Sequence, residues 1–241
     1  MSDAAARASL WRPGPMADAR IKLPMVGLAL LVSGWAFLSG KRIPLWTLTL
    51  SASIGLALLA ATLLPALLLR GRILPGWAPH WRALLKKRRT LGLMAALCFW
   101  VHYNFAVEML RQRHGPAEIQ ARYDPVLDPG QLAAFIFLIL FLTSYEWARR
   151  LLKQDWKRLQ SLVWFAVPLI LVHSIAAKRA FEGRLTDVSL AILAAIIGLA
   201  VAEFFRLGVG HRDRFRHPAL LALGLIVALV LRFGFRDPTI L

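Results

Sequence analysis

Residues 88–105 read RRTLGLMAALCFWVHYNF, two arginines followed by an apolar run long enough to begin crossing a bilayer. An imidazole, His102, lies well inside that run. Ionisable side chains within a membrane segment are costly and face a bundle interior or a cavity, so His102 is a functional candidate. Six further stretches free of Asp, Glu, Lys and Arg surround it, at 23–40, 43–69, 131–145, 159–177, 188–202 and 218–231. Most approach, with their flanks, the roughly 20 residues needed to span about 30 Å of hydrocarbon. The sixth and seventh are shorter, but Glu203 and Arg232 lie near their ends, where polar groups reach the interface. Continuous apolar runs rather than alternation indicate helices and not a barrel. The expected fold is an all-α polytopic membrane helix bundle of about seven transmembrane helices.

The bulk composition agrees. Of 241 residues, 58% are hydrophobic, and the mean hydropathy is +0.58. The net charge of +17 would suggest nucleic acid in a soluble protein, but here the basic residues cluster between spans, and no nucleic-acid partner is expected. Four segments that seven spans place on one side carry 20 Lys and Arg, and the other side carries ten. The positive-inside bias therefore predicts a cytoplasmic N-terminus. Residues 1–22 carry acidic groups and no apolar leader-like core, and are expected to be a cytoplasmic tail. The bundle is expected over 23–235, with a short tail at 236–241. Cys98 is the single cysteine and lies within a span, which excludes a disulfide framework or a thiolate-ligated cluster within one chain.

Between spans, the stretch 70–89, RGRILPGWAPHWRALLKKRR, predicts a Pro/Gly turn and then a basic, Trp-bearing interfacial helix. The stretch 111–130, RQRHGPAEIQARYDPVLDPG, breaks twice at Asp-Pro and is expected to be an ordered outer loop. No Gly-rich dinucleotide fingerprint or Walker motif is present.

Of six histidines, His80, His114, His211 and His217 fall in loops or at span ends, where solvation accounts for them. His102 and His173 lie inside spans. His102 is 13 residues from Arg89, about 20 Å along a helix, and His173 is 15 residues from Arg158, about 22 Å. Both spans run in the same direction, so the imidazoles reach one level in the outer half of the membrane. Cys98, Phe99, Phe105 and Ala106 lie one turn from His102, and Leu169, Ile170, Ala176 and Ala177 one turn from His173. Such faces suit a flat apolar guest. A bare metal ion would want more ligands, and no Asp or Glu is expected at this depth, whereas haem needs axial ligands alone. Interhelical hydrogen bonding is the competing role for both histidines.

Three blocks of sequence, RRTLGLMAALCFWVH (88–102), FLTSYEWARRLLKQDWKRLQSLVW (141–164) and LVHSIAA (171–177), resemble the ferric-reductase-like transmembrane domain superfamily. Within it, they are most similar to the haem-binding membrane subunit of the bacterial periplasmic methionine sulfoxide reductase system. The likeness covers about 45–210 and implies a six-helix haem-binding core with His102 and His173 as axial ligands of haem b. It also implies that the basic pair Arg88 and Arg89 contributes to an FMN site on the cytoplasmic side. One departure stands out. The family's Trp-x-x-Leu-His is here Trp156-Lys157-Arg158-Leu159-Gln160, so an inner haem ligand is missing, and the corresponding level of the other helix holds Arg88. A single haem at the outer-leaflet level follows. Arg111, Arg113, Lys178 and Arg179 flank the outer helix ends, where they are solvated or pair with propionates.

These readings point to a multi-pass cytochrome of the bacterial inner (plasma) membrane. It would pass electrons from a quinol, or from a cytoplasmic flavin, to an external acceptor, which is a periplasmic oxidoreductase partner or a ferric complex. The alternative is a non-redox scaffold or small transporter subunit that keeps the fold.

Overall fold

The computed structural model describes residues 44–70, 72–122, 128–180, 184–207 and 216–231, with positions 27, 29, 31, 32 and 34 of the first expected span. Those five positions are helical, and the rest of that span lies outside the described residues. Among the described residues every regular element is helical: α1 (Leu45–Arg70), a 3-10 turn (Pro75–Trp77), α2 (Ala78–Lys86), α3 (Arg88–Arg122), α4 (Pro129–Leu142), α5 (Glu146–Leu152), α6 (Asp155–Gln160), α7 (Val163–Ala180), α8 (Arg184–Leu207) and α9 (Arg216–Leu229).

The stretches 46–70, 88–112 and 155–176 are long and apolar enough to cross a membrane. A fourth crossing is made if α4 and α5, bent by 92°, form one span. Shorter apolar helices, Leu190–Val201 and Pro218–Leu229, coincide with the last two expected spans. Leu- and Ala-rich sequence favours helix, and a bilayer leaves the backbone no other way to satisfy its own polar groups. Pro65 and Pro168 sit inside α1 and α7 without ending them.

The helices close on one another. α1 packs along α3, α3 on α4, α4 on α7, α7 on α8, and α8 returns to α1, while α9 covers α7 from outside. The interior is filled by Leu59, Leu63, Ala95, Ala166, Val167, Leu169, Leu193 and Ile196, each almost wholly buried. Close approach depends on glycine at one contact in particular. A Cβ on Gly224 of α9 would lie 2.4 Å from the Phe165 carbonyl oxygen of α7. Outward-facing Phe135, Ile139 and Leu142 on α4 and Leu223 and Ile226 on α9 remain exposed, as lipid-facing side chains do.

The turn and basic helix expected within 70–89 are present, with Arg72 and Leu74 in the left-handed region before Pro75–Trp77. One boundary differs from expectation. The stretch from 111, taken as loop, continues as helix to Arg122. Its run of Gln, Arg, Ala and Glu favours helix, and Glu108 ties down the next turn by bonding Arg111 and Gln112. The fifth expected span, from 159, falls within the stretch 155–176 that is long and apolar enough to cross, with the short helix α6 leading into α7. Lys153 takes a left-handed conformation (φ 46°) that turns the chain between α5 and α6.

Candidate functional site

At one end of the bundle four elements converge: the start of α1, the middle of α3, the start of α4 and the later turns of α7. His102 comes from α3 and His173 from α7. Their ring centroids are 6.4 Å apart, with the planes at 82°. Along their lengths α3 and α7 scarcely touch among the described residues, because α4 lies between them. Two helices with little contact among the described residues thus bring their histidine rings together at nearly a right angle.

Each ring is fixed through Nδ1. His102 Nδ1 lies 3.0 Å from the Leu48 carbonyl oxygen, at the first turns of α1. A carbonyl only accepts, so His102 Nδ1 carries the proton and donates. His173 Nδ1 lies 3.1 Å from Asp128 Oδ1, again an acceptor. With Nδ1 as the donor, a neutral ring keeps its lone pair on Nε2, the tautomer a metal ligand needs. Across one metal, nitrogen bonds of about 2.0 Å and an imidazole radius of about 1.1 Å would set the centroids about 6.2 Å apart. The observed spacing matches that value.

Asp128 is the residue that sequence reasoning missed. It sat in an expected outer loop, and no carboxylate was expected at this depth. In the structure it is the N-cap of α4, and Oδ1 also accepts the Gly130 N–H at 2.7 Å. The legible signal was Asp-Pro-Gly directly before an apolar run, a helix start with Pro at its first position. Gly130 matters for the same site, since a Cβ there would lie 2.3 Å from His173 Nδ1. The ring rests directly on the first turn of α4. Among the described residues no group of three or more His, Cys, Asp or Glu is placed to hold a bare metal ion.

The neighbours expected to line a guest are partly turned elsewhere. Phe99 packs at a tilt of 43° against Phe137 of α4, centroids 4.7 Å apart, and with Cys98 it packs on Gly55 of α1. Phe105 joins Leu48 and Met109 in a small buried cluster. Gln131 Nε2 donates to the Tyr103 hydroxyl at 3.2 Å, and Tyr103 packs beside Trp100. Arg111 is held by Glu108 through two nitrogens at 2.7 and 2.8 Å. The side chains of Arg113, Lys178 and Arg179, and those of His114, His211 and His217, lie outside the described residues. His80 packs on Trp77 at the surface.

At the opposite end, Arg89 binds the Ser144 carbonyl oxygen through Nε at 2.9 Å and also through Nη2. Arg88 is exposed beside it. Trp156 Nε1 donates to the Thr143 carbonyl at 2.8 Å, and Gln160 Nε2 lies 3.3 Å from Thr143 Oγ1 and 3.4 Å from the Leu140 carbonyl. Gln160, standing where a histidine was expected, braces the end of α4. Arg88 and Arg89 are thus far from the histidine pair and close to this corner.

Comparison with known proteins agrees with the sequence reading. The ferric reductase-like transmembrane component family matches residues 51–171, half of the chain; His102 lies within that range and His173 two residues beyond it. Proteins from Brucella ovis, Brucella canis and Brucella suis, each named protein-methionine-sulfoxide reductase heme-binding subunit MsrQ, are 29% identical over 149 residues. That alignment covers 61% of this chain and 63% of each relative, so the chain spans less than two thirds of their length. No solved structure matches. The family match, together with a helical bundle whose apolar helices suit a membrane, makes this chain a member of the ferric reductase-like transmembrane family.

Proposed function

We propose that this protein is a membrane cytochrome subunit that carries electrons through the bilayer, with His102 and His173 as the two axial ligands of a single b-type haem. The observation that carries the reading is the close, nearly perpendicular pair of imidazoles, centroids 6.4 Å apart, each with Nδ1 already engaged. Two nitrogen donors, with no group of three or more His, Cys, Asp or Glu among the described residues placed to hold a bare ion, suit a porphyrin, which supplies four nitrogens of its own. When bound, haem would supply a one-electron couple, and two imidazole nitrogens from His102 and His173 would hold it, which favours electron transfer over oxygen activation.

The remaining work falls to this chain's own residues. Leu48 and Asp128 accept from the Nδ1–H groups, which leaves Nε2 of each neutral ring as the nitrogen available to a metal. Buried Leu169, Ala95 and Ala166 exclude water from the bundle interior beneath the site. The resemblance of the Brucella relatives supports an external oxidoreductase as acceptor, with a ferric complex as the other candidate. A quinol in the bilayer, or FMN held near Arg88 and Arg89, is the proposed donor. Arg89 is committed to the Ser144 carbonyl, which favours the quinol route. Seven spans, a cytoplasmic N-terminus and an inner-membrane location complete the proposal and follow the charge asymmetry of the sequence.

The test is an absorption spectrum of the detergent-purified full chain, oxidised and then dithionite-reduced. Sharp reduced α and β bands at a single haem per chain, lost in His102→Ala and in His173→Ala, are the expected result. A folded protein that stays colourless after haem supplementation overturns the proposal and leaves the scaffold or transporter reading.

A further inference from the structure

The two imidazoles are held by unequal acceptors. His102 donates to a neutral backbone carbonyl, Leu48, whereas His173 donates to the carboxylate of Asp128. That carboxylate is not a passing surface contact. Asp128 caps α4 with an extended backbone (φ −89°, ψ 119°), Pro129 follows at the first helical position, and one oxygen, Oδ1, receives both the Gly130 N–H and the His173 ring. Gly130 has no Cβ to keep the ring away. The start of α4 is therefore shaped to seat this imidazole against a negative charge.

We propose that Asp128 is a positioning residue that makes His173 the more electron-rich of the two ligands and so lowers the midpoint potential of the iron held at this site. The inference rests on the haem reading above. A carboxylate accepting from Nδ1–H draws the proton toward itself and raises the donor strength of Nε2. Stronger donation, and a negative charge on the ligand's far side, both favour the ferric over the ferrous state. A carbonyl does the first weakly and the second not at all. Asp128 is 45% exposed and His173 33% exposed, so solvent weakens the effect without removing it.

The experiment compares full-length wild type, Asp128→Asn and Asp128→Glu, purified with haem and titrated electrochemically at the α band. Asn keeps an oxygen for both hydrogen bonds and removes the charge, so Asp128→Asn is expected to retain haem. At a fixed potential its ratio of reduced to oxidised haem should rise about tenfold, an upward shift of about 59 mV for one electron. Asp128→Glu, which keeps the charge, is expected to fall back toward wild type. An Asp128→Asn protein with bound haem and an unmoved potential overturns the inference. If Asp128→Asn binds no haem, Asp128→Glu decides: haem at the wild-type potential supports a role for the charge, and a lost or equally disturbed haem refutes it. A colourless wild type instead overturns the haem reading itself, before any variant is compared.

Discussion

Gly130→Ala tests whether the seat on α4 is what sets the site. The added methyl would lie 2.3 Å from His173 Nδ1 and 2.6 Å from Cε1 and Cγ, where ordinary contact begins near 3.4 Å. Relief requires the ring to move by about 1 Å, or α4 to shift by as much, at an overpacking cost of about 1–3 kcal/mol. Because Asp128 on the same turn grips the ring, moving one without the other also stretches a 3.1 Å hydrogen bond. If that cost falls on the bound state, haem affinity drops roughly 5- to 150-fold, since about 1.4 kcal/mol is tenfold. The assay is haemin titration of protein made under haem limitation, followed at the Soret band, with thermal unfolding to show that the fold persists. Gly198→Ala is the control, because its methyl meets nothing within 4 Å. Haem affinity in Gly130→Ala within about twofold of wild type would refute the reasoning.

Other outcomes follow from contacts away from the rings, and one from the rings themselves. Near-perpendicular imidazole planes (82°) leave the two iron dπ orbitals almost degenerate, so the oxidised protein should give one highly anisotropic low-field EPR signal; a rhombic set of three lines would mean parallel rings. Gly224→Ala drives a methyl into the Phe165 carbonyl oxygen, and since backbone cannot rotate aside, α9 must lift from α7. Thermal stability in detergent should fall by about 1–3 kcal/mol, with an unchanged melting curve counting against that contact. Trp156→Phe removes the donor to the Thr143 carbonyl at the α4–α5 corner. A loss of about 1 kcal/mol is expected with the haem spectrum intact, and a bleached spectrum would show that the corner reaches the site.

Much of this was legible because membrane helices announce themselves. Apolar length marks α1, α3 and α7, and counting helical rise from Arg89 and Arg158 brought His102 and His173 to one level without any contact information. The rise per residue is nearly constant, so depth is a one-dimensional quantity that sequence carries. What stayed hidden is lateral. Nothing in the spacing of residues says that α4 stands between α3 and α7, or that Phe99 turns toward Phe137 instead of a guest. Asp128 escaped because Asp-Pro-Gly reads equally as a turn, and only the packing of α4 decides that the carboxylate meets an imidazole. The backbone carbonyl of Leu48 has no side-chain signature at all. Gln160 was recognised as a departure, but its new partners on α4 could not be inferred from the substitution alone.

The right-angled end of α4 has an elastic consequence. Fourteen helical residues rise about 21 Å, well short of a hydrocarbon core of about 30 Å, while the 26 residues of α1 rise about 39 Å. Phe135, Ile139 and Leu142 face outward on the short helix, and the polar corner of Thr143, Ser144 and Arg89 lies just beyond it. If α4 crosses without α5, headgroups beside it would be drawn inward to meet that corner, thinning the leaflet at a cost of fractions of a kcal/mol for each ångström of mismatch. A helix of 26 residues and one of 14 in the same bundle thus suit different thicknesses, and thinner bilayers should accommodate α4 with less deformation.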